Sequence, residues 1–306
     1  MRACLPVFGV VAAIASLAAQ QPPVRLERPF QSGIELTSIT ATVTDGEGHL
    51  VADLPREAFE VFEDGDRQEI TQFTRERVPV GLGVLLDISD SMFGRRLDDA
   101  RAAVDRFLFD LLDPADEFFL MAFNHKPRAL TGWTQARGDV QRALGALQAT
   151  GGTAIYDAIV ESIPLVDART RKRAALLVIS DGADTASTAT LRDVRSALLR
   201  SDAFIYAIAI DSPERQPINT RVNAQVLREI TAESGGRTEI IRSSTDLVEA
   251  TARIAEELNS QYVLAFASPN PGDGKYHTIR VRTTDATNRV RARNGYVAVR
   301  RGSQDR

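Results

Sequence analysis

The central part of the chain contains five segments that are almost continuously hydrophobic. They lie at residues 80–86, 117–123, 174–179, 203–210 and 237–241. Short apolar runs of this kind are typical of strands that are buried on both faces, as in a parallel sheet covered by helices. The pattern therefore predicts a parallel sheet at the centre of the protein.

Between these segments, apolar residues recur at spacings of three and four, which places them along one side of a helix. One such series runs through Leu97, Val104 and Leu111, and further helices are expected from Val140, Leu191 and Leu247 onward and from near Ala154. Alternating strands and helices predict an α/β fold, a doubly wound and mostly parallel sheet with helices on both faces, over residues 78–262.

The segments on either side of this core show a different pattern, in which apolar and polar residues alternate. Residues 34–44 and 59–63 alternate in this way, and each is followed by a turn sequence, at residues 45–48 and 64–65. Strands are expected again at residues 262–267, 277–283 and 290–299. We therefore predict a small antiparallel β unit formed from the flanking segments. The hypothesis is that both flanks pair into one small sheet, and the alternative is two separate modules.

The N-terminal segment has the features of a signal peptide. Arg2 precedes an uncharged apolar run at residues 5–19, and Ser16 and Ala18 form a small-x-small cleavage site. The run has 15 residues, whereas a membrane-spanning helix needs about 20. The sequence therefore predicts export to the periplasm, the cell envelope or the exterior, with no transmembrane span in the mature chain. An uncleaved N-terminal anchor is the alternative.

These patterns together give a prediction for the whole 306-residue chain. The predicted parts are a signal peptide (1–19), a linker and β unit (20–77), a core domain (78–268), C-terminal strands (269–299) that pair with residues 34–77 under the pairing hypothesis, and a disordered tail (300–306).

Composition removes several classes of function. The net charge is −4, so the basic surplus that a nucleic-acid-binding protein usually carries is absent, and no nucleic-acid partner is expected. Cys4 is the only cysteine and would leave with the signal peptide, which excludes an intrachain disulfide or a cysteine-bound zinc ion. The three histidines, His49, His125 and His277, are far apart in sequence and share no metal-ligand spacing. With cysteine and histidine ligands removed, a metal site would use oxygen ligands.

Oxygen-bearing side chains follow the buried strands. Asp87, Ser89 and Ser91 form a D-x-S-x-S sequence after the first apolar run, and Asp181 follows the run at residues 174–179. Thr153 lies between them in a Gly-Gly-Thr sequence. In an open α/β sheet, ligands bind outside the carboxyl ends of the strands. Carboxylate and hydroxyl oxygens suit Mg²⁺ or Mn²⁺, so the sequence predicts a divalent-cation site at this edge.

These five residues occur in the order found in von Willebrand factor type A domains, and they resemble the metal-ion-dependent adhesion site of that family. The resemblance covers residues 78–268, and the flanks look like those of secreted bacterial proteins related to von Willebrand factor A. It implies a Rossmann-like fold, Mg²⁺ or Mn²⁺ held by Asp87, Ser89, Ser91, Thr153 and Asp181, and a coordination position that accepts an acidic side chain of a protein partner. The implied function is non-enzymatic adhesion.

Two other functions are alternatives to this one. A structural envelope component would use the metal only to stabilise its fold. A metal-assisted phosphohydrolase would use Asp87 and Asp181, but no nucleophile or base stands out beside them except Asp90. The chain has no nucleophile elbow, no P-loop and no complete dinucleotide-binding motif.

Several residues near the motif have simpler explanations. Ser89 and Ser91 are candidates for capping the following helix, as an alternative to binding metal. Asp90 is expected to be a solvated carboxylate, and Asp157 and Asp184 are expected to stabilise the first turn of a helix. Elsewhere, Trp133 is expected to pack, with recognition of a partner as the alternative. Residues 169–173 are expected to form a solvated turn before a buried strand, with a partner-binding patch as the alternative.

Overall fold

The computed structural model describes residues 36–180, 184–210 and 224–299. The predicted signal peptide, most of the predicted linker and the predicted disordered tail lie outside these ranges. The strands are β1 (Leu36–Thr44), β2 (Phe59–Glu63), β3 (Asp66–Gln68), β4 (Ile70–Thr74), β5 (Val80–Asp87), β6 (Glu117–Phe123), β7 (Pro127–Ala129), β8 (Arg173–Ser180), β9 (Phe204–Ile210), β10 (Thr238–Ile241), β11 (Tyr262–Ala267), β12 (Tyr276–Thr283), β13 (Arg289–Ala292) and β14 (Gly295–Val297).

The α-helices are α1 (Arg95–Arg106), α2 (Arg137–Gly145), α3 (Ile155–Asp167), α4 (Leu191–Arg200), α5 (Ala224–Ser234) and α6 (Ser244–Asn259). Two 3₁₀ turns lie at Arg56–Ala58 and Asp90–Met92, and α1 continues into a π-helical turn at Phe107–Leu111. Within the described ranges, none of these helices is both long enough and apolar enough to cross a membrane.

The predicted α/β fold is confirmed. Six strands form one sheet in the order β10-β9-β8-β5-β6-β7, and every pair is parallel except β6–β7. All residues of β5, β6, β8 and β9 are buried, as their apolar runs predict. Helices α1, α2 and α6 cover one face of the sheet and α3, α4 and α5 cover the other. Sequence patterns did not predict α5 or the short edge strand β7.

The centre of the sheet is packed too tightly for a side chain at one position of β5. A Cβ atom on Gly83 would lie 2.3 Å from the ring of Phe119 and 2.6 Å from Leu176. Phe119 also makes an edge-to-face contact with Trp133, whose Nε1 donates to the carbonyl of Leu165 at 2.9 Å. The packing role expected of Trp133 is confirmed.

The flanking segments form two antiparallel sheets, with the strand orders β13-β1-β11-β4 and β14-β12-β2-β3. In both sheets, strands that precede the α/β core pair with strands that follow it, because β1 pairs with β11 and β2 pairs with β12. One hydrophobic cluster joins the two sheets and includes Ile39, Val61, Tyr262 and Phe266. Strand β11 falls inside the range 78–268, but it is hydrogen-bonded to β1 and β4. The division into domains stays a prediction.

The C-terminal strand expected at residues 290–299 is two short strands in different sheets. Strand β13 pairs with β1, and β14 pairs with β12. The chain passes between them at Asn294, whose carbonyl accepts from the backbone N–H of Ile279 at 2.8 Å. A Cβ atom on Gly295 would lie 2.5 Å from the carbonyl oxygen of His277, so the crossing requires glycine.

The interpretation of residues 169–173 as a solvated turn is wrong for the arginines at its two ends. Arg173 is buried and donates to the carbonyls of Val78 and Leu258, each at 2.8 Å, and its burial lowers the pKa of the guanidinium to about 10. Arg169 forms an ion pair with Asp202 in which Nη2 donates to both carboxylate oxygens, at 2.9 and 2.7 Å. Both side chains bind neighbouring segments, which sequence spacing does not reveal.

Candidate functional site

Asp87 is the last residue of β5 and lies between β6 and β8 at the carboxyl edge of the parallel sheet. Its side chain is 0% exposed. Oδ1 accepts from the backbone N–H of Ser89 at 2.8 Å, and Oδ2 accepts from the hydroxyl of Ser180 at 2.5 Å. These two hydrogen bonds fix the plane of the carboxylate, one from its own loop and one from the neighbouring strand.

Ser89 and Ser91 lie on the loop that joins β5 to α1. The backbone N–H of Met92 donates to the carbonyl of Ser89 at 2.9 Å, which closes a tight turn over Asp90–Met92. This turn brings the hydroxyl oxygens of the two serines to 2.9 Å from each other. Neither serine caps a helix with its side chain, because Gly94 occupies the N-cap of α1 and Ser89 makes no capping bond to the 3₁₀ turn. The capping alternative is therefore wrong.

Thr153 lies on a second loop that runs beside the first. The backbone N–H of Asp90 donates to the carbonyl of Gly151 at 2.9 Å, which joins the two loops. On its other side, the N–H of Thr153 donates to the Thr185 hydroxyl at 3.0 Å, and the N–H of Thr185 donates back to the carbonyl of Thr153 at 2.8 Å. Thr153 is consequently buried and held between two segments.

Asp181, the second carboxylate predicted for the site, lies outside the described residues. The preceding residue, Ser180, ends β8 and contacts Asp87 directly. Sequence analysis did not assign a role to Ser180 or Thr185. The parallel pairing of β5 with β8 is the feature that places Ser180 beside Asp87, and no local sequence signal shows which strands pair.

The oxygen atoms of the first loop fit a small divalent cation. Two neighbouring ligands of an octahedral Mg²⁺, each at about 2.1 Å, are about 3.0 Å apart. The hydroxyls of Ser89 and Ser91 form a hydrogen bond of 2.9 Å, and the backbone N–H of Ser89 donates to the buried carboxylate of Asp87. In the described ranges, no group of three or more His, Cys, Asp or Glu side chains is arranged to hold a metal ion.

The other acidic residues near the loops have different roles. Asp90 is exposed, as expected. Asp184 accepts from the N–H of Tyr156 at 3.2 Å, so it stabilises the first turn of α3 from another segment. Asp157 lies in that turn and accepts from the backbone N–H groups of Thr188 and Ala189, at 3.0 and 2.7 Å. Both carboxylates are engaged in fixing the loop that leads from this edge to α4.

Residues 82–183 match the family model described as von Willebrand factor type A domain. Among curated proteins, the chain is similar to inter-alpha-trypsin inhibitor heavy chain H4. It is 23% identical to the Homo sapiens protein over 143 residues, which are 43% of this chain and 15% of the relative. It is 30% identical to the Bos taurus protein over 95 residues, which are 29% of this chain and 10% of the relative. The matches thus span a small part of both relatives.

Solved structures share the fold at low sequence identity. A von Willebrand factor type A protein from Catenulispora acidiphila aligns with a TM-score of 0.51 and 16% identity, over 88% of this chain and 74% of its own. An aerotolerance-related membrane protein from Bacteroides fragilis, carrying multiple mutations to serine, aligns with a TM-score of 0.51 and 20% identity, over 59% of this chain and 98% of its own. The pilus adhesin SpaC from Lactobacillus rhamnosus aligns with a TM-score of 0.51 and 14% identity, over 67% of this chain and 33% of its own.

Proposed function

Because residues 82–183 match the family model of the von Willebrand factor type A domain, we propose that this protein binds a protein partner through a divalent cation at the Asp87 edge of its sheet, without catalysing a reaction. One observation carries the proposal. The fully buried carboxylate of Asp87 accepts from the N–H of Ser89 and the hydroxyl of Ser180, and the loop that follows it holds the hydroxyls of Ser89 and Ser91 in a hydrogen bond of 2.9 Å, a separation that neighbouring octahedral ligands also have.

The ligands proposed for Mg²⁺ or Mn²⁺ are Asp87, Ser89, Ser91, Thr153 and Asp181. When bound, the cation supplies a coordination position for one further oxygen atom. The two carboxylates balance the charge of the dication, and the three hydroxyls are neutral ligands that leave it able to attract another anion. A Glu or Asp side chain of the partner is the hard oxygen donor that fits this position.

A role in protein contact agrees with the kind of protein that shares the fold. One structure with this fold is a pilus adhesin, and another is a membrane protein. Low sequence identity limits that likeness to the fold itself, so the binding role of this chain depends on its own residues. Within the described ranges, no helix is suited to crossing a membrane.

The proposal is tested by capture on the immobilised protein. A native envelope fraction is applied with Mg²⁺ or with EDTA, and bound protein is eluted with an acidic peptide. We expect capture that needs Mg²⁺, that the acidic peptide reverses, and that Thr153→Ala weakens while the exposed control Thr188→Ala leaves it intact. Thermal stabilisation by Mg²⁺ with no capture would favour a purely structural metal. Turnover of a phosphate ester that Asp87→Ala abolishes would contradict a non-enzymatic function.

We also propose that the chain is exported, because an apolar run at residues 5–19 follows Arg2 and ends in small residues. N-terminal sequencing of the protein recovered from an exporting host checks this point. The mature chain is expected to begin near Gln20. Recovery of a chain that begins at Met1 would contradict cleavage and favour an N-terminal anchor.

A further inference from the structure

The most exposed large hydrophobic side chain in the described part of the protein lies next to the candidate site. Phe93 is 79% exposed, and it follows Ser91 by two residues. The other large apolar side chains exposed in the described ranges are Tyr276 and Val299, each 48% exposed and both in the C-terminal flank. An isolated exposed apolar residue is ordinary on a protein surface. The position of Phe93 beside the Asp87 loop is what requires an explanation.

The backbone fixes Phe93 in this outward position. Its N–H donates to the carbonyl of Asp90 at 3.2 Å, which closes the turn that also places Met92 in the hydrophobic core. Gly94 then adopts a φ of 76°, a conformation that favours glycine and that leads the chain into α1. Arg96 fastens the same turn, because it donates to the carbonyl of Ser91 at 2.7 Å. The turn therefore presents Phe93 to solvent while its neighbour is buried.

Two exposed basic side chains lie on segments next to the candidate site. Arg95 is exposed and follows Phe93 closely in sequence. Lys126 is exposed on the loop after β6, which contacts the Thr153 loop because the N–H of Ala154 donates to the carbonyl of Asn124 at 2.7 Å. Asp90 is the exposed acidic residue on the metal-binding loop itself. Arg95 and Lys126 are thus two exposed cations close in sequence to, or on a loop in contact with, the candidate site, and they favour an acidic partner.

We propose that Phe93 is the apolar anchor of the partner-binding surface, and that the partner presents an acidic side chain close to a large aliphatic or aromatic one. This inference rests on the proposed function, in which the acidic side chain reaches the cation. Phe93 lies two positions after Ser91, a backbone distance of at most about 7 Å. The acidic and apolar side chains of an extended partner are thus expected within about two or three residues of each other.

Selection from a library of short random peptides displayed on phage tests whether the protein prefers an acidic residue close to an apolar one. The immobilised protein binds the library in Mg²⁺, and bound phage are eluted with EDTA. For the wild type, we expect selected sequences in which Glu or Asp is followed or preceded closely by Leu, Ile, Phe or Trp. For Phe93→Ser, acidic residues are expected without the apolar preference. Phe93→Leu is expected to retain the preference, and Val299→Ser serves as a control for loss of an exposed apolar side chain far along the chain.

Titration of one selected peptide measures how much its apolar residue contributes to binding. Replacing its apolar residue by Ala is expected to weaken binding to the wild type about tenfold and to leave binding to Phe93→Ser almost unchanged. An apolar preference that persists in Phe93→Ser would overturn the role of Phe93 while leaving the metal-dependent function intact. Selected sequences without acidic residues, or phage that EDTA does not release, would overturn the proposed function and with it this inference.

Discussion

The carboxylate of Asp87 depends on a hydroxyl that is 93 positions away in the sequence. Ser180 is buried at the end of β8 and donates to Oδ2 of Asp87 at 2.5 Å, while the N–H of Ser89 donates to Oδ1. A hydrogen bond to a charged acceptor is stronger than one between neutral groups. Ser180 is therefore expected to orient the carboxylate toward the hydroxyl oxygens of the loop.

Ser180→Ala is expected to lower Mg²⁺ affinity about tenfold, the lower end of the effect of removing a residue that orients a metal ligand. Titration calorimetry measures the affinity, and circular dichroism checks that the fold is kept. Ser162→Ala is the matched control, because Ser162 is also buried but donates to the carbonyl of Ile159 within α3. Equal Mg²⁺ affinity in Ser180→Ala and the wild type would show that this hydrogen bond does not support the site.

The residues of the candidate site differ in how visible they are in the sequence. Asp87, Ser89 and Ser91 were found because a local motif follows an apolar run, and the structure places them together. Ser180 and Thr185 reach the site through strand pairing and through contacts between loops, which no local spacing encodes. Sequence analysis therefore finds the ligand candidates and misses the groups that position them.

At the scale of elements, the buried strands were predictable because covering both faces of a sheet requires a continuous apolar run. Helix α5 was missed because its apolar residues Leu227 and Ile230 are few and lie among polar neighbours. The break between β13 and β14 was missed because each strand has only three or four residues, and a change of sheet leaves no periodic signal. Local patterns thus predict long buried elements better than short edge strands.

The β2–β3 turn is attached to β12 by a charged contact. His277 is buried on β12, and its ring nitrogens contact the carboxylates of Asp64 at 2.7 Å and of Asp273 at 3.0 Å. Hydrogen bonds to Asp64 and then to Asp273 raise the pKa of His277 above 6.5. The bond to His277 is also the largest factor that lowers the pKa of each carboxylate below 3.8. The turn is thus linked to its neighbouring strand by an imidazolium between two carboxylates.

This contact predicts that the folded state loses stability as the pH rises. The contribution of His277 to the free energy of unfolding is complete below pH 6.5, the ordinary pKa of histidine. It is lost as the pH rises through the raised pKa of His277 in the folded state. The carboxylate contribution is present above 3.8 and is lost as the pH falls through the lowered pKa values of the two aspartates. The contact is therefore strongest between these two ordinary values.

Urea denaturation at about pH 6 and about pH 9 checks the alkaline side of this window. The wild type is expected to lose more free energy of unfolding between the two pH values than His277→Gln does. His49→Gln, at an exposed histidine, is the matched control and is expected to behave like the wild type. A wild type and a His277→Gln variant with parallel pH profiles would refute the charged contact.

At the scale of the whole described molecule, a buried carboxylate joins the flanking sheets to the α/β core. Glu257 on α6 accepts from the hydroxyl of Tyr206 on β9 at 2.8 Å, from Arg291 on β13 at 2.5 Å and from Thr42 on β1 at 3.2 Å. The same acidic group therefore contacts the parallel sheet and one of the antiparallel sheets. We expect the flanks and the core to unfold together because the contacts of Tyr206 and Thr42 are buried and that of Arg291 is partly buried.

Glu257→Gln removes the charge that Arg291 faces while keeping the size of the side chain. The loss of a charged hydrogen bond is expected to reduce the free energy of unfolding by about 2 kcal/mol. Chemical denaturation measures the change, with Glu249→Gln as a control, because Glu249 is on the same helix but exposed. The control is expected to change stability by less than about 0.5 kcal/mol. Equal stability of both variants would contradict the joining role of Glu257.

Titration calorimetry with Mg²⁺ and Mn²⁺ on the folded protein tests the proposed metal site most directly. Asp87 is fully buried beside the serine hydroxyls, whereas Asp90 lies on the same loop with its side chain in solvent. We expect saturable binding of one cation by the wild type and by Asp90→Asn, and its loss in Asp87→Asn. An affinity in Asp87→Asn equal to that of the wild type would contradict a cation site at this edge of the sheet.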